Sequence, residues 1–158
     1  MDFDASKLKI VPLDESKLAS IIQIAETLEE APHWPLGSYA DLIRKTSSVR
    51  RIALVALYDS SEEVAGFVIA SVIPPDAELE SIGVTGAFQR HGVGARLMRD
   101  LMTDLYQSAI GKLLLEVRSS NSTALAFYRS IGFIQTGIRR SYYTDPAEDA
   151  MLMELRLK

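Results

Sequence analysis

The stretch Ile82-Gly83-Val84-Thr85-Gly86-Ala87-Phe88-Gln89-Arg90-His91-Gly92-Val93-Gly94-Ala95 decides how the rest of the chain is read. A β-like run, Glu78–Val84, feeds a loop with two closely spaced glycines, and the loop opens a long helix-like run, Gly92–Ser108. The first N–H groups of a helix have no intrahelical partner, and the helix dipole adds partial positive charge, so such a junction attracts phosphate oxygens. Gly92 and Gly94 remove side chains that block close approach, and Arg90 adds a fixed positive charge. The same two glycines also serve simply to shape a turn, so the pair alone is a weak signal. A P-loop requires Lys-Ser/Thr after its last glycine, where Ala95-Arg96 stands. A dinucleotide fingerprint requires a third glycine where Leu97 stands. Both are excluded.

Working outward, Gly92–Ser108 carries Val93, Leu97, Leu101 and Leu105 in one apolar row, with Met98 and Met102 beside it. Lys112–Arg118 is then a strand with the run Leu113-Leu114-Leu115, and strand, helix, strand at this spacing is a βαβ unit with parallel strands. Ser122–Ile131 is a helix stopped by Gly132, followed by β-like runs Ile134–Tyr143 and Ala150–Leu157. Upstream, Lys7–Pro12 is a short strand. Asp14 caps a helix over Glu15–Glu29 with Leu18, Ile21, Ile22, Ala25 and Leu28 on its buried face. The prolines of Ala31-Pro32-His33-Trp34-Pro35 break that helix, and Ser38 is read as the N-cap of a second, Tyr39–Lys45. Arg51–Tyr58 and Val64–Ile73 complete the strands. The order is β-α-α-β-β-β-α-β-α-β-β, a mixed α/β sheet with antiparallel portions at both ends and a single domain over residues 1–158.

Composition narrows the function. The 158 residues carry 17 Lys and Arg against 21 Asp and Glu, a net charge of −4, which is a poor match for a duplex-binding protein. No cysteine is present, which excludes a disulfide scaffold, a thiolate metal site and a cysteine nucleophile. His33 and His91 are far apart, so no metal site is expected. No targeting run and no apolar run of about 20 residues is visible, so the expected location is cytoplasmic, without membrane contact.

The pattern Gln89-x-x-Gly92-x-Gly94 resembles the acetyl-CoA pyrophosphate loop of the GCN5-related N-acetyltransferases, whose element order matches the one above. The resemblance strengthens at Leu115-Glu116-Val117-Arg118-Ser119-Ser120-Asn121, at Ala126-Phe127-Tyr128, at Arg139-Arg140-Ser141-Tyr142-Tyr143 and at Glu148–Met153. These blocks are similar to the branch that acetylates the N-terminal alanine of ribosomal protein S18, with its peptide Nα-acetyltransferase relatives. The chain departs from that branch at Thr85-Gly86, where Asp-Pro is usual, at Ser141, where Asn is usual, and at His33-Trp34-Pro35-Leu36.

The resemblance implies a sheet whose central parallel strands splay apart, acetyl-CoA as co-substrate, a protein N-terminus as acceptor, and a monomer or weak dimer without nucleic acid. It also implies a set of residue roles. Glu116 is the candidate general base, since a carboxylate inside an apolar strand is suited to accept a proton from an amine. Tyr128 is the candidate acid for the departing thiolate. Ile82, Gly83 and Val84 offer backbone groups to the pantetheine arm, and the Val84 N–H faces the thioester carbonyl. Gln89, Arg90, His91, Gly92, Val93, Gly94 and Ala95 form the pyrophosphate loop, and Asn121 either caps its helix or binds the CoA arm. Trp34, Glu80, Tyr142 and Tyr143 wall the acceptor site. The alternatives are the same fold acting on a small amine or a lysine, and a non-catalytic acetyl-CoA sensor.

Overall fold

A computed structural model describes residues 2–28, 36–44, 48–60 and 62–158. Seven strands form one sheet: β1 (Leu8–Pro12), β2 (Arg50–Tyr58), β3 (Glu63–Ile73), β4 (Asp76–Val84), β5 (Lys112–Arg118), β6 (Ile134–Tyr143) and β7 (Glu148–Arg156). Their spatial order is β1-β2-β3-β4-β5-β7-β6, antiparallel everywhere except between β4 and β5. Four helices cover it: α1 (Leu18–Thr27), α2 (Leu36–Arg44), α3 (Val93–Gln107) and α4 (Ser122–Ile131). The predicted element order and the parallel central pair are both observed.

β3 shows why the sheet is covered on both faces. Phe67 and Ile69 pack with Ile21, Ile24, Ala25 and Tyr39 of α1 and α2. The intervening Val68, Ala70 and Val72 pack with α3. A strand buried on both sides reads as a continuous apolar run, as Val-Ile-Ala-Ser-Val does here. On α3 the predicted row Val93, Leu97, Leu101 and Leu105 is buried together with Met98. Each such side chain contributes about 1.5–3 kcal/mol.

Three local expectations need correction. Asp14 does cap, but through Ser16 N–H at 2.9 Å onto a short 3₁₀ turn, Glu15–Lys17, and α1 begins only at Leu18. The buried stripe of α1 is centred on Ile21, Ile24 and Ala25, with Ile22 only half-buried. Ser38 lies inside α2, which starts at Leu36, rather than capping it. Among the described residues no helix is long and apolar enough to cross a membrane.

Candidate active site

The parallel ladder between β4 and β5 has three rungs: Asp76–Lys112, Ala77–Leu113 and Glu78–Leu114. Beyond them the strands part. The divergence begins at a bulge in β4, where Leu79 pairs with Ala70 and Ser81 with Ile69, leaving Glu80 without a partner. A bulge adds a residue and increases twist, which turns the strand away from its neighbour. It also reverses the side-chain alternation: Ala77 and Leu79 face α3 before it, Ile82 and Val84 after it.

The slot exposes backbone groups. Thr85 N–H donates to Ala65 O of β3 at 2.9 Å. Successive N–H groups of a strand alternate in direction, so Gly83 also points toward β3, while Ile82 and Val84 direct their N–H groups into the slot. Val84 O is held by Gln89 Nε2 at 3.0 Å, which ties the start of the loop to the end of the strand. Gln89 is therefore a brace for the loop as well as part of the cavity wall.

From this slot a cavity of about 1370 Å³ runs to the N-terminus of α3 and across to α4. Ile82, Gly83, Val84, Gln89 and Arg90 line it, and so do Gly92, Val93, Gly94 and Ala95. Arg90 and Gly92 both adopt left-handed backbone, φ +67° and +80°, and no side chain caps α3. The opening N–H groups of α3 thus remain available to an anion, next to the Arg90 charge. His91 is not brought into this cavity: its ring stacks on Phe3 at 4.7 Å and lines a separate pocket with Arg96 and Arg99. Gly94 has a second reason to lack a side chain, since a Cβ there would lie 3.2 Å from the Phe127 ring of α4. Gly83 is likewise fixed by packing, with Leu28 and Phe67 at 2.5 and 2.8 Å from the position of a Cβ.

Glu116 and Tyr128 both line the cavity, from opposite faces of the sheet. Leu113, Leu115 and Val117 of β5 belong to the α3 face, so Glu116 projects to the other, where it is 19% exposed and pairs with Arg139 Nε at 3.1 Å. Tyr128 lies in the core on the α3 face between Phe127 and Phe133. Burial pushes its phenol up to about 12, so it stays protonated at neutral pH and is competent to donate. Its hydroxyl has no hydrogen-bond partner among the described residues.

The remaining predicted residues fall as follows. Asn121 Oδ1 caps α4 by accepting from Ala124 N–H at 3.1 Å, which leaves its amide N–H groups for the cavity it lines. Glu80 lines the cavity but is already engaged, with Arg51 Nε at 2.8 Å. Tyr143 lines it too, its ring under the Arg118 guanidinium at 4.3 Å; burial, then the Glu116 charge, raises its phenol. Tyr142 is half exposed, and its hydrogen bond to the Glu116 carboxylate raises its phenol. Trp34 lies outside the described residues. One pairing and one residue were missed. Arg139 was not recognised as the partner of Glu116, because a contact between β5 and β6 depends on the β7 register between them. Glu78 was not singled out, although strict alternation from Ala77 and Leu79 already puts it on the Glu116 face. Burial and the charges of Glu116 and Glu80 hold its carboxyl above the usual range.

A slot of free strand amides, an anion-ready helix start and a buried phenol suit a long, flexible thioester carrier with a diphosphate. Among the described residues no group of His, Asp and Glu is placed to hold a metal. The profile of the acetyltransferase (GNAT) family matches residues 18–133, and the chain belongs to that family. Within it, the sequence is 42% identical over 95 residues to the [ribosomal protein bS18]-alanine N-acetyltransferase of Escherichia coli K12, covering 59% of this chain and 64% of that one. It is 45% identical over 80 residues to the N-alpha-acetyltransferase RimI of Mycobacterium tuberculosis, covering 51% and 49%. The chain thus matches just under two thirds of the length of the first of these curated relatives and about half of the second. The crystal structure of the E. coli ribosomal-protein-S18-alanine N-acetyltransferase superposes with a TM-score of 0.82 at 31% identity, over 96% of this chain and 94% of that one.

Proposed function

We propose that this protein transfers an acetyl group from acetyl-CoA to the α-amine of a protein N-terminus, with the N-terminal alanine of ribosomal protein S18 as acceptor. The observation that carries the reading is the slot itself, with a carboxylate (Glu116) on one face of the sheet and a protonated phenol (Tyr128) on the other. The names of the E. coli and mycobacterial relatives support the choice of acceptor.

The residues supply the steps in order. An α-amine has a pKa near 8, so part of it is already neutral at pH 7. Glu116, directly or through a water, accepts the proton as nitrogen attacks the thioester carbon. The Val84 N–H stabilises the developing oxyanion, and the Ile82 N–H, which shares its direction one strand repeat away, holds the carrier's arm. As the carbon–sulfur bond breaks, Tyr128 gives its proton to the sulfur. Transfer is direct within a ternary complex, and the absence of cysteine excludes a cysteinyl acetyl-enzyme.

A panel of N-terminal hexapeptides assayed with acetyl-CoA tests the reading. Acetylation at the α-amine, best with an S18-derived peptide, is the expected result. Better turnover of polyamines or of lysine side chains would replace it with the small-amine reading, and carrier binding without turnover of any amine would make the protein a sensor.

A further inference from the structure

Among the described residues two buried side-chain polar atoms lack a hydrogen-bond partner, Ser81 Oγ and Arg96 Nε. Arg96 Nε still has Asp100 Oδ1 at 3.8 Å, and it belongs to the separate pocket at Phe3 and His91. Ser81 lines the large cavity and is only 7% exposed. A buried polar atom without a partner costs stability, so a native structure keeps one where a water or a ligand completes it.

The β4 bulge decides what Ser81 faces. Counted along β3, Glu78 stands at Ser71 and Ser81 at Ile69, two rungs further on, because Glu80 is left out of the pairing. On β5, Glu116 likewise stands two residues beyond Leu114, the last partner of Glu78. Ser81 and Glu116 are therefore at one level on the two sides of the slot. They also share a face. Ser81 pairs with Ile69 of the α1-side core, and cross-strand partners project to the same side. Glu116 projects to that side as well, opposite to Leu115 and Val117. The two side chains nevertheless do not touch, since Ser81 Oγ has no hydrogen-bond partner among the described residues. The Glu116 carboxylate is held from β6, on the far side of β5 from the slot, by Arg139 Nε at 3.1 Å and by the Tyr142 hydroxyl. A hydroxyl and a carboxylate that face each other beyond direct reach, in one cavity, are bridged by water.

We infer that Ser81 Oγ and Glu116 share a water, and that Ser81 is a positioning residue for the proton transfer. The inference rests on the acetylation reading above and selects, of its two routes to Glu116, the one through water. The water donates to Glu116 and to Ser81 Oγ, which leaves a lone pair for the amine proton. As nitrogen bonds to the thioester carbon, it gives that proton to the water, and the water gives one of its own to a Glu116 oxygen. The water is restored, and Ser81 keeps its proton while fixing where the water sits.

The test compares Ser81→Thr with Ser81→Val. The two side chains have the same shape and crowd the strand equally, and only Thr keeps a hydroxyl. With an S18-derived hexapeptide, kcat of the Val variant is expected about ten- to hundredfold below that of the Thr variant. Acetyl-CoA affinity by calorimetry is expected to be equal in the two. In a Glu116→Gln background their kcat values should also be equal, because the water then serves no base. Should neither larger variant fold, Ser81→Ala is expected to show the same loss against the parent protein, and a kcat within about twofold of the parent would overturn the inference. Equal kcat in the Thr and Val variants with Glu116 in place would overturn it as well, while leaving N-terminal acetylation intact. So would a gap that persists in full without Glu116, or one that falls on acetyl-CoA affinity instead of kcat. Failure of the parent protein to acetylate any peptide amine would instead defeat the acetylation reading, and the shared water with it.

Discussion

Glu78 and Leu114 are the last partners in the parallel ladder between β4 and β5. Two residues beyond Leu114 on its own strand stands Glu116, and two beyond Glu78 stands the bulged Glu80. The place where the sheet opens is therefore also the place where its carboxylates gather, and the slot and its chemistry share one cause in the β4 bulge.

If Glu116 is the proton acceptor, Glu116→Gln removes the acceptor while keeping shape. Turnover is expected to fall by about 10²–10⁴-fold with carrier affinity retained. Steady-state kinetics paired with calorimetry checks it, and a variant within twofold of the parent in kcat would remove Glu116 from the mechanism.

Tyr128→Phe should slow the chemical step more than binding, and it carries a stability signature as well. The Tyr128 phenol titrates near 10 in the unfolded chain and about 12 in the fold, because burial disfavours the phenolate. The folded state holds the proton more tightly, so stability is full below pH 10 and declines as pH rises from 10 to 12, by about 2–3 kcal/mol. Urea unfolding at pH 9 and pH 11.5 should show that decline in the parent protein and lose this share of it in Tyr128→Phe. Identical alkaline slopes would mean that the phenol is not buried as described.

Gly83 is tied to packing. A Cβ there meets Leu28 at 2.5 Å and Phe67 at 2.8 Å. Gly83→Ala should cost about 1–3 kcal/mol through overpacking between α1 and β4. An unfolding midpoint unchanged in urea would show that α1 stands further from the strand.

Ser141 has φ +51°, and its N–H donates to Asp149 Oδ1 at 2.8 Å. Asn is tolerated in left-handed backbone better than Ser is, which gives a physical reason for the Asn usual in this branch. Ser141→Asn should raise stability by up to about 1 kcal/mol in a thermal unfolding series; a clear loss would contradict the left-handed geometry.

The sequence made much of this legible, and the omissions have physical reasons. The apolar row of α3, the twin glycines and the run Leu113–Leu115 are local patterns, and each led to the right element, although the leucine run suggested burial on both faces and Leu114 is only half-buried. The splay itself was implied by resemblance, because one bulged residue such as Glu80 leaves no periodic mark in a strand this short. Pairing of Glu116 with Arg139 and of Glu80 with Arg51 depends on strands far apart in the chain, so composition gave no hint that two of the three carboxylates are already engaged. His91 was grouped with its loop, yet the left-handed backbone of Arg90 and Gly92 on either side turns it toward Phe3.

The central claim is that the opening amides of α3 hold the diphosphate of acetyl-CoA in a slot made by parting strands. Titration calorimetry of acetyl-CoA against the parent protein and two variants, Gly92→Gln and Gly92→Glu, tests it most directly. Both variants carry the same strain at φ +80°, and only one places a negative charge at the helix start. One-to-one binding in the parent, with the Glu variant at least tenfold weaker than the Gln variant, is the predicted result. Absence of heat in the parent, or equal affinities in the two variants, would contradict it.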